Sequence, residues 1–464
     1  MSGMPGTSSP GHGASPRLRA PLELRERALS RLRSALREGL ARGASHGFVT
    51  FDAPLAAPEA VFAFDAEQAT LFAPFEGPQR VGLGVAALLS PGRDLSSLPQ
   101  DAQRLLDGID ARAAEFEPTL IGGLAFSPRF ARPPWERFGV GCFVLPRWTY
   151  LRDRDRSQLG LIFGALEVGE SVGAHGRIEA ELLRLWERLA RPPVDPPLAS
   201  PRSLRTRSLD PRVWGESIEA IRGAIGRGEF EKVVAARCTR VDFDAPLDAS
   251  EILARLGERH PSCARFAMRR GPDVFLGATP ERLLLKRGSQ IETEALAGTV
   301  ALGREEALLG SAKDAEEHGL VVSAIFDSLG PLCSVLASDP EPRLRALRDV
   351  LHMQTRIHGE LRAPAHILEL ILRLHPTPAV GGVPGASAIA WIDAHEQAPR
   401  GWYSGPFGSF DRAGDGAFVV ALRSGLLRAA TAWLWAGGGI VEGSRAEAEY
   451  EETELKLQAM RGSL

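Results

Sequence analysis

An α+β fold is predicted for this chain from three observations. Between about residues 46 and 170, short apolar runs at 81–89, 120–126, 140–145 and 159–166 are divided by Gly/Pro turns, which is how antiparallel strands read. Beyond about residue 208 helical and strand patterns alternate, yet the strands come in runs rather than in regular βαβ units. Two long helical patterns, near 312–329 and 445–460, frame that second half.

Residues 1–21 hold no acid and are dominated by Gly, Ser and Pro. Arg17 and Arg19 would suit a transit peptide, but no h-region follows, and the stretch reads as a disordered tail. From 22 to 42, helical spacing with alternating charge predicts a surface helix. It opens an N-terminal half, 22–190, that closes on a helix near 176–189. The Pro-rich stretch 191–207 reads as a linker across one surface. The region 208–464 then gives a helix near 213–228, a strand at 231–243 and a helix near 249–258. Strands follow near 264–269, 273–277 and 282–287, and later near 416–423 and 432–436, with no repeat at a fixed short period.

The composition, 44% hydrophobic and 24% charged, is that of a soluble globular protein. A net charge of −3 and the lack of a basic stripe interleaved with aromatics argue against nucleic acid as a partner. No apolar run approaches the ~20 residues that span a bilayer. Cys142, Cys238, Cys263 and Cys333 are scattered without metal-ligand spacing and read as reduced, buried thiols. Arg-for-Lys and Ala/Gly-rich usage suggests a GC-rich bacterial genome, and the expected location is the bacterial cytoplasm.

Only four lysines, Lys232, Lys286, Lys313 and Lys456, stand among 51 arginines. A buried lysine can become a neutral base, whereas arginine stays charged, so surviving lysines point to chemistry. Lys232 opens the strand EKVVAARC, and period 2 sets it on an apolar face with Val234, Ala236 and Cys238. A strand-end lysine snorkelling to water is the plain alternative. Lys286 reads as surface. Glu281 follows the turn made by Gly277 and Pro280 at a sheet end; an ordinary turn glutamate paired with Arg282 would look the same.

Carboxylates mark both long helices. Ser311 and Asp314 form a capping box, so the first helix starts near Ala312. Asp314 and Glu317 share a face, and Glu317 leads into the apolar stripe of Leu320, Val321, Ala324 and Ile325. A carboxylate in line with a buried stripe costs several kcal/mol unless a cation or donors meet it. First-turn acids favoured by the helix dipole are the alternative. In the last helix Ser444 and Glu447 form a second capping box, and Glu449, Glu452 and Lys456 fall at i, i+3, i+7; a solvated charged face would read alike. Paired carboxylates on two helices would suit a hard dication such as Mg²⁺, if the helices meet. The Gly-rich pieces ALAGT, GWYSGP and AGGG let backbone approach a ligand, but none is a phosphate loop.

Taken in order, FEKVVAARCTRV, FLGATPERLL, TEALAGT, GSAKDAEEHGLVV, LHMQT, LHPTPAVGG, RGWYSGPFGSFDRAGDGAFVVALRS and WAGGGIVEGSRAEAEYEETELKL resemble the chorismate-utilising enzymes, and within them the isochorismate synthases. These segments cover roughly residues 215–460. The resemblance implies an α+β fold of two antiparallel sheets packed as a sandwich with helices outside. It implies Lys232 as general base, Glu281 as general acid, and Glu317 and Glu452 as Mg²⁺ ligands, with Asp314 and Glu449 acting through water. Tyr403, Arg423, Gly437, Gly438, Gly439 and Lys456 match positions that contact the substrate carboxylates, and Gly298, Thr299 and His352 line the same cleft.

The implied reaction adds water at C2 of chorismate as the C4 hydroxyl departs, so the amine must titrate below, and the carboxyl above, the usual ~10.4 and ~4.3. Ammonia-using relatives generally carry Gln where Lys232 stands, and some carry a nucleophilic Lys where this chain has Ala297, so water is the expected nucleophile and no glutamine amidotransferase subunit is expected. Salicylate synthase, which goes on to eliminate pyruvate, and a non-catalytic chorismate-binding protein are the alternatives. Isochorismate would feed menaquinone or siderophore biosynthesis, with the menaquinone type the more similar, and a monomer or homodimer is expected.

Overall fold

The computed structural model describes residues 16–130, 132–168, 172–191, 201–348 and 350–464, without the side chains of 16–21, 130, 166, 172, 301 and 313. Residues 1–15 of the expected tail and 192–200 of the expected linker fall outside that set. Two sheets carry the fold. The first has 13 strands, in the order 203–207, 232–243, 431–440, 424–428, 273–279, 264–270, 69–73, 79–83, 148–153, 156–164, 46–52, 109–113, with 382–383 beside 232–243. The second has 10 strands, in the order 333–338, 350–361, 290–301, 282–287, 416–420, 406–410, 120–124, 141–145, 87–89, with 343–346 beside 350–361. Strand 46–52 runs parallel to 109–113. The ladders that position the site, 232–243 with 431–440 and 290–301 with 350–361, are antiparallel.

The sandwich closes where Phe72, Phe266, Phe275 and Trp435 of the first sheet meet Ile121, Phe407 and Val419 of the second. Helices 16–38, 172–190, 249–259 and 446–461 contribute Leu32, Leu182, Leu253 and Leu457 to the first sheet's own buried cluster. Full burial of each such side chain contributes about 1.5–3 kcal/mol. The α+β sandwich expected from the sequence is therefore the fold observed.

The two halves follow one plan. Outward from the junction of 264–270 with 69–73, the second half reads hairpin, hairpin, then 232–243, with 203–207 at the edge; the first half reads hairpin, hairpin, then 46–52, with 109–113 at the edge. In the second sheet the halves meet at 406–410 with 120–124 but differ in extent: the second half continues through 416–420, 282–287, 290–301, 350–361 and 333–338, the first only through 141–145 and 87–89. Both halves are thus continuous through both sheets.

Four sequence expectations change. The first helix begins at Pro16, six residues before Leu22, and is more than a surface helix: Ala28, Leu32 and Leu36, four apart, are buried as one stripe. Residues 203–207, expected as linker, form an edge strand on 232–243, since beyond Pro201 every residue can donate its N–H. Lys286 is buried rather than surface, its Nζ 2.5 Å from Asp415 Oδ1, a partner 129 residues away that local pattern cannot reveal. Ser444 does not cap the last helix: its Oγ accepts from Val441 N–H, and Arg445 is the N-cap.

Candidate active site

A cavity opens between the two sheets in the second half, and its lining residues all fall between Val234 and Lys456. Its lining mixes apolar side chains with a few convergent polar and charged groups, as small-molecule sites do. One wall is the pair of strands 232–243 and 431–440, in register Val234↔Gly439, Ala235↔Gly438 and Ala236↔Gly437. Here glycine is a steric need. A Cβ on residue 439 would lie 2.3 Å from Glu317 Oε1 and 2.9 Å from Lys232 Cε, and one on 437 would lie 2.8 Å from the Ala235 carbonyl. Gly438, on the alternate face, would direct a Cβ to 3.1 Å from Glu449 Oε2.

Lys232 is fully buried and its Nζ lies 2.8 Å from Glu317 Oε1. Glu317 comes from helix 312–329, which starts where expected because Ser311 Oγ accepts from Asp314 N–H at 3.1 Å. Asp314 lies in the same first turn, and its Cβ would be 3.2 Å from a Cβ on Gly298, whose φ of +70° suits glycine. Helix 446–461 brings Glu452 and Lys456 to the cavity, Nζ to Oε1 2.7 Å, and Lys456 also donates to the Gly437 carbonyl at 2.9 Å. Burial alone would pull the Lys456 amine down; Glu452, with help from Tyr403 and Glu317, leaves it raised, so it is a cation. Glu449 is buried behind Gly438.

The two carboxylates that line the cavity, Glu317 and Glu452, thus come from separate helices to one space. Their donors are all oxygen, as a hard dication requires. Among the described residues no three His, Cys, Asp or Glu side chains gather into a complete cage. The residues fit an ion held by few protein oxygens, with its other positions left to water and substrate.

Glu281 sits where the chain crosses from one sheet to the other, between strands 273–279 and 282–287. A second crossing, 420–424, runs beside it: Val420 N–H donates to the Glu281 carbonyl, Thr279 Oγ1 donates to the Val420 carbonyl, and Ala278 N–H donates to the Arg423 carbonyl. Glu281 is 5% exposed, and Arg282 pairs instead with Glu76 and Glu292. Burial, aided by the charge of Glu294 and opposed by Lys456, Lys232 and Arg345, pushes the Glu281 carboxyl up to about 8. At neutral pH it keeps its proton.

Arg423 holds a positive φ of +47°, a strained conformation for a side chain of this size. Its Nη2 faces His352 Nε2 at 3.1 Å. A guanidinium only donates, so Nε2 accepts and the neutral ring carries its proton on Nδ1. Nδ1 then donates to the Gly298 carbonyl at 3.2 Å, with Thr299 Oγ1 3.1 Å away. Burial first, then the nearby cations Arg423 and Lys456, keep His352 neutral. Tyr403 is stacked on Trp435 with ring centroids 6.3 Å apart, and burial pushes its phenol up to about 12, so it stays a donor.

Of the residues singled out in the sequence, Glu281, Gly298, Thr299, Glu317, His352, Tyr403, Arg423, Gly437, Gly439, Glu452 and Lys456 line this one cavity. Lys232 lies directly behind Glu317, while Asp314, Gly438 and Glu449 stand one layer back. Sequence reasoning missed Arg400, which is fully buried, lines the cavity, pairs with Glu396 and donates to the carbonyls of Val380 and Val234. Its only sequence signal is its place beside the GWYSGP motif.

These features belong to a known class. The family model for chorismate binding enzyme matches residues 56–464, and the chain belongs to that family. Among its relatives, a salicylate biosynthesis isochorismate synthase from Pseudomonas aeruginosa is 38% identical over 357 residues, 75% of this chain and 74% of that protein. The isochorismate synthase MenF of Bacillus subtilis is 34% identical over 358 residues, again 75% of this chain and 74% of that protein. The solved structure of MenF, the menaquinone-specific isochorismate synthase from Escherichia coli, superposes with a TM-score of 0.77 at 27% identity, covering 96% of this chain and 99% of that one.

Proposed function

We propose that this chain is an isochorismate synthase, a Mg²⁺-dependent isomerase that adds water at C2 of chorismate with loss of the C4 hydroxyl. The observation that carries the reading is the placement of Glu281, a buried carboxyl pushed up to about 8, in one cavity with Glu317 and Glu452, with Lys232 directly behind Glu317. Glu317 and Glu452 would hold the ion, with Asp314 and Glu449 behind them. Bound there, Mg²⁺ would neutralise the ring carboxylate and draw electron density from the ring.

The chain's own residues do the rest. Lys456, Arg423 and Tyr403 offer two charges and a hydroxyl to the substrate carboxylates, and His352 fixes the direction of Arg423. Lys232, behind Glu317, is the base that takes a proton from the attacking water. Glu281 gives its proton to the C4 oxygen, which leaves as water, so the proton count balances across the ring. Ala297 lines the cavity and offers no amine that could bond to the ring. With Lys232 standing where ammonia-using relatives generally carry Gln, water is the nucleophile in this reading and no amidotransferase subunit is expected.

The product would feed menaquinone or siderophore biosynthesis, made by a monomer or homodimer in a bacterial cytoplasm. No described helix is long and apolar enough to cross a membrane. The name of the Pseudomonas aeruginosa relative keeps salicylate in view as the end point of such a route. Incubating the purified chain with chorismate and Mg²⁺ and resolving the products decides: isochorismate is expected. Salicylate with pyruvate would make it a salicylate synthase, and unchanged chorismate would overturn the enzyme reading.

A further inference from the structure

We infer that Glu294, outside the substrate cavity, is a positioning residue for the proton donor Glu281. It anchors the backbone that follows Glu281 and sets a fixed negative charge behind that carboxyl. This rests on the reading of Glu281 as the acid.

The geometry comes from a ladder that opens. Strands 282–287 and 290–301 pair as Leu285↔Glu292, Lys286↔Ile291 and Arg287↔Gln290, and no further toward Glu281. On the other side, the pairing of 282–287 with 416–420 shifts register between Arg282 and Leu284. Where the ladder stops, two side chains take over from backbone. Thr293 Oγ1 donates to the Leu283 carbonyl at 2.7 Å, and Glu294 Oε1 accepts the Arg282 N–H at 2.8 Å. The residue bonded by Glu294 is thus the one directly after the acid.

Glu294 is itself held from two further strands. Arg345 Nη1 lies 3.1 Å from Oε1, and Gln354 Nε2 donates to Oε2. The Glu294 side chain is 8% exposed and lines a separate groove with Arg345 and Gln354, not the substrate cavity. The charged and titratable groups around Glu281 are Glu294 (strand 290–301), Lys456 (helix 446–461), Lys232 (strand 232–243), Arg345 (strand 343–346) and Tyr403 (the turn before 406–410). Glu294 is the first of these to favour the protonated acid, after burial itself. A carboxylate here supplies two things that an apolar residue could not: an acceptor for the Arg282 N–H and a like charge that disfavours ionised Glu281.

The test is the pH dependence of kcat/KM at saturating Mg²⁺. In the wild type it should fall as pH rises through about 8, where Glu281 loses its proton. Glu294→Gln keeps an acceptor for Arg282 but removes the charge, so the alkaline limb should move to lower pH by on the order of one unit. Well below the limb the rate should change little. Glu294→Asp, which restores the charge, should move the limb back. An equal loss at every pH, or an unmoved limb, overturns the inference. Glu281→Gln separates it from the underlying reading: that variant should lose activity, and if it keeps the wild-type rate the acid assignment falls by itself. A ¹³C titration of the Glu281 carboxyl in metal-free protein reads the Glu294 effect without turnover, and no downward shift in Glu294→Gln would refute it.

Discussion

The two halves of the molecule run the same course of strands through the core of the first sheet, and the cavity that gathers the candidate site residues lies in the second half. In the first half, strand 156–164 opposes 46–52 with Gly47↔Phe163 and Phe48↔Ile162, and helix 172–190 buries Ile178, Leu182, Trp186 and Leu189. In the second half, strand 431–440 sets Gly437, Gly438 and Gly439 opposite 232–243, and helix 446–461 turns Glu449, Glu452 and Lys456 inward. A shared scaffold therefore does not make the site. Three glycines remove volume, and charges enter the space left. Buried charges cost several kcal/mol unless paired. Glu452 and Lys456 pair within their own helix, while Lys232 and Arg423 find Glu317 and His352 from residues 290–395, the stretch between strands 282–287 and 406–410 of the second sheet.

The contrast can be broken experimentally, beginning with the largest effect. Lys232→Gln should lower kcat by a factor on the order of 10²–10⁴, the usual worth of a general base, while circular dichroism stays unchanged; retention of more than a few per cent of the rate would exclude the base role. Gly439→Ala, whose methyl would collide with Glu317, should cost roughly tenfold to a hundredfold in activity and raise the Mg²⁺ needed for half-maximal rate. Glu452→Gln should also raise the Mg²⁺ requirement, and excess metal should recover part of the rate. In the first half the outcomes reverse. Trp186→Ala should lower unfolding free energy by about 3–5 kcal/mol in denaturant titrations and leave kcat/KM of the folded fraction intact. Gly160→Ala, which would bring a Cβ within 2.5 Å of the Phe48 ring, should cost about 1–3 kcal/mol, again without a kinetic effect.

Legibility in the sequence followed locality. Helix 312–329 could be bounded to the residue because Ser311 caps its own first turn. The strand from Lys232 was bounded to within a residue, but beyond Ala235 its buried face is the alternate one, Arg237, Thr239 and Val241, with Ala236 and Cys238 only half-buried. What failed was set by distant partners. Lys286 is kept from water by Asp415, and Ser444, although capping-box-like, bonds backward to Val441. The tautomer of His352 and the left-handed backbone of Arg423 depend on two sheet crossings lying side by side, and no window of sequence contains both. The site residues were named through a family pattern; their spacing alone could not say that the two carboxylate helices meet.

The continuity of both sheets has a practical corollary for anyone trimming this enzyme. The first half gives no residue to the cavity wall, yet cutting it away would strip 264–270 of its bonds to 69–73 and 406–410 of its bonds to 120–124. Two long apolar rims would then be free to recruit other chains, and the excised catalytic half is expected to precipitate before it can turn over.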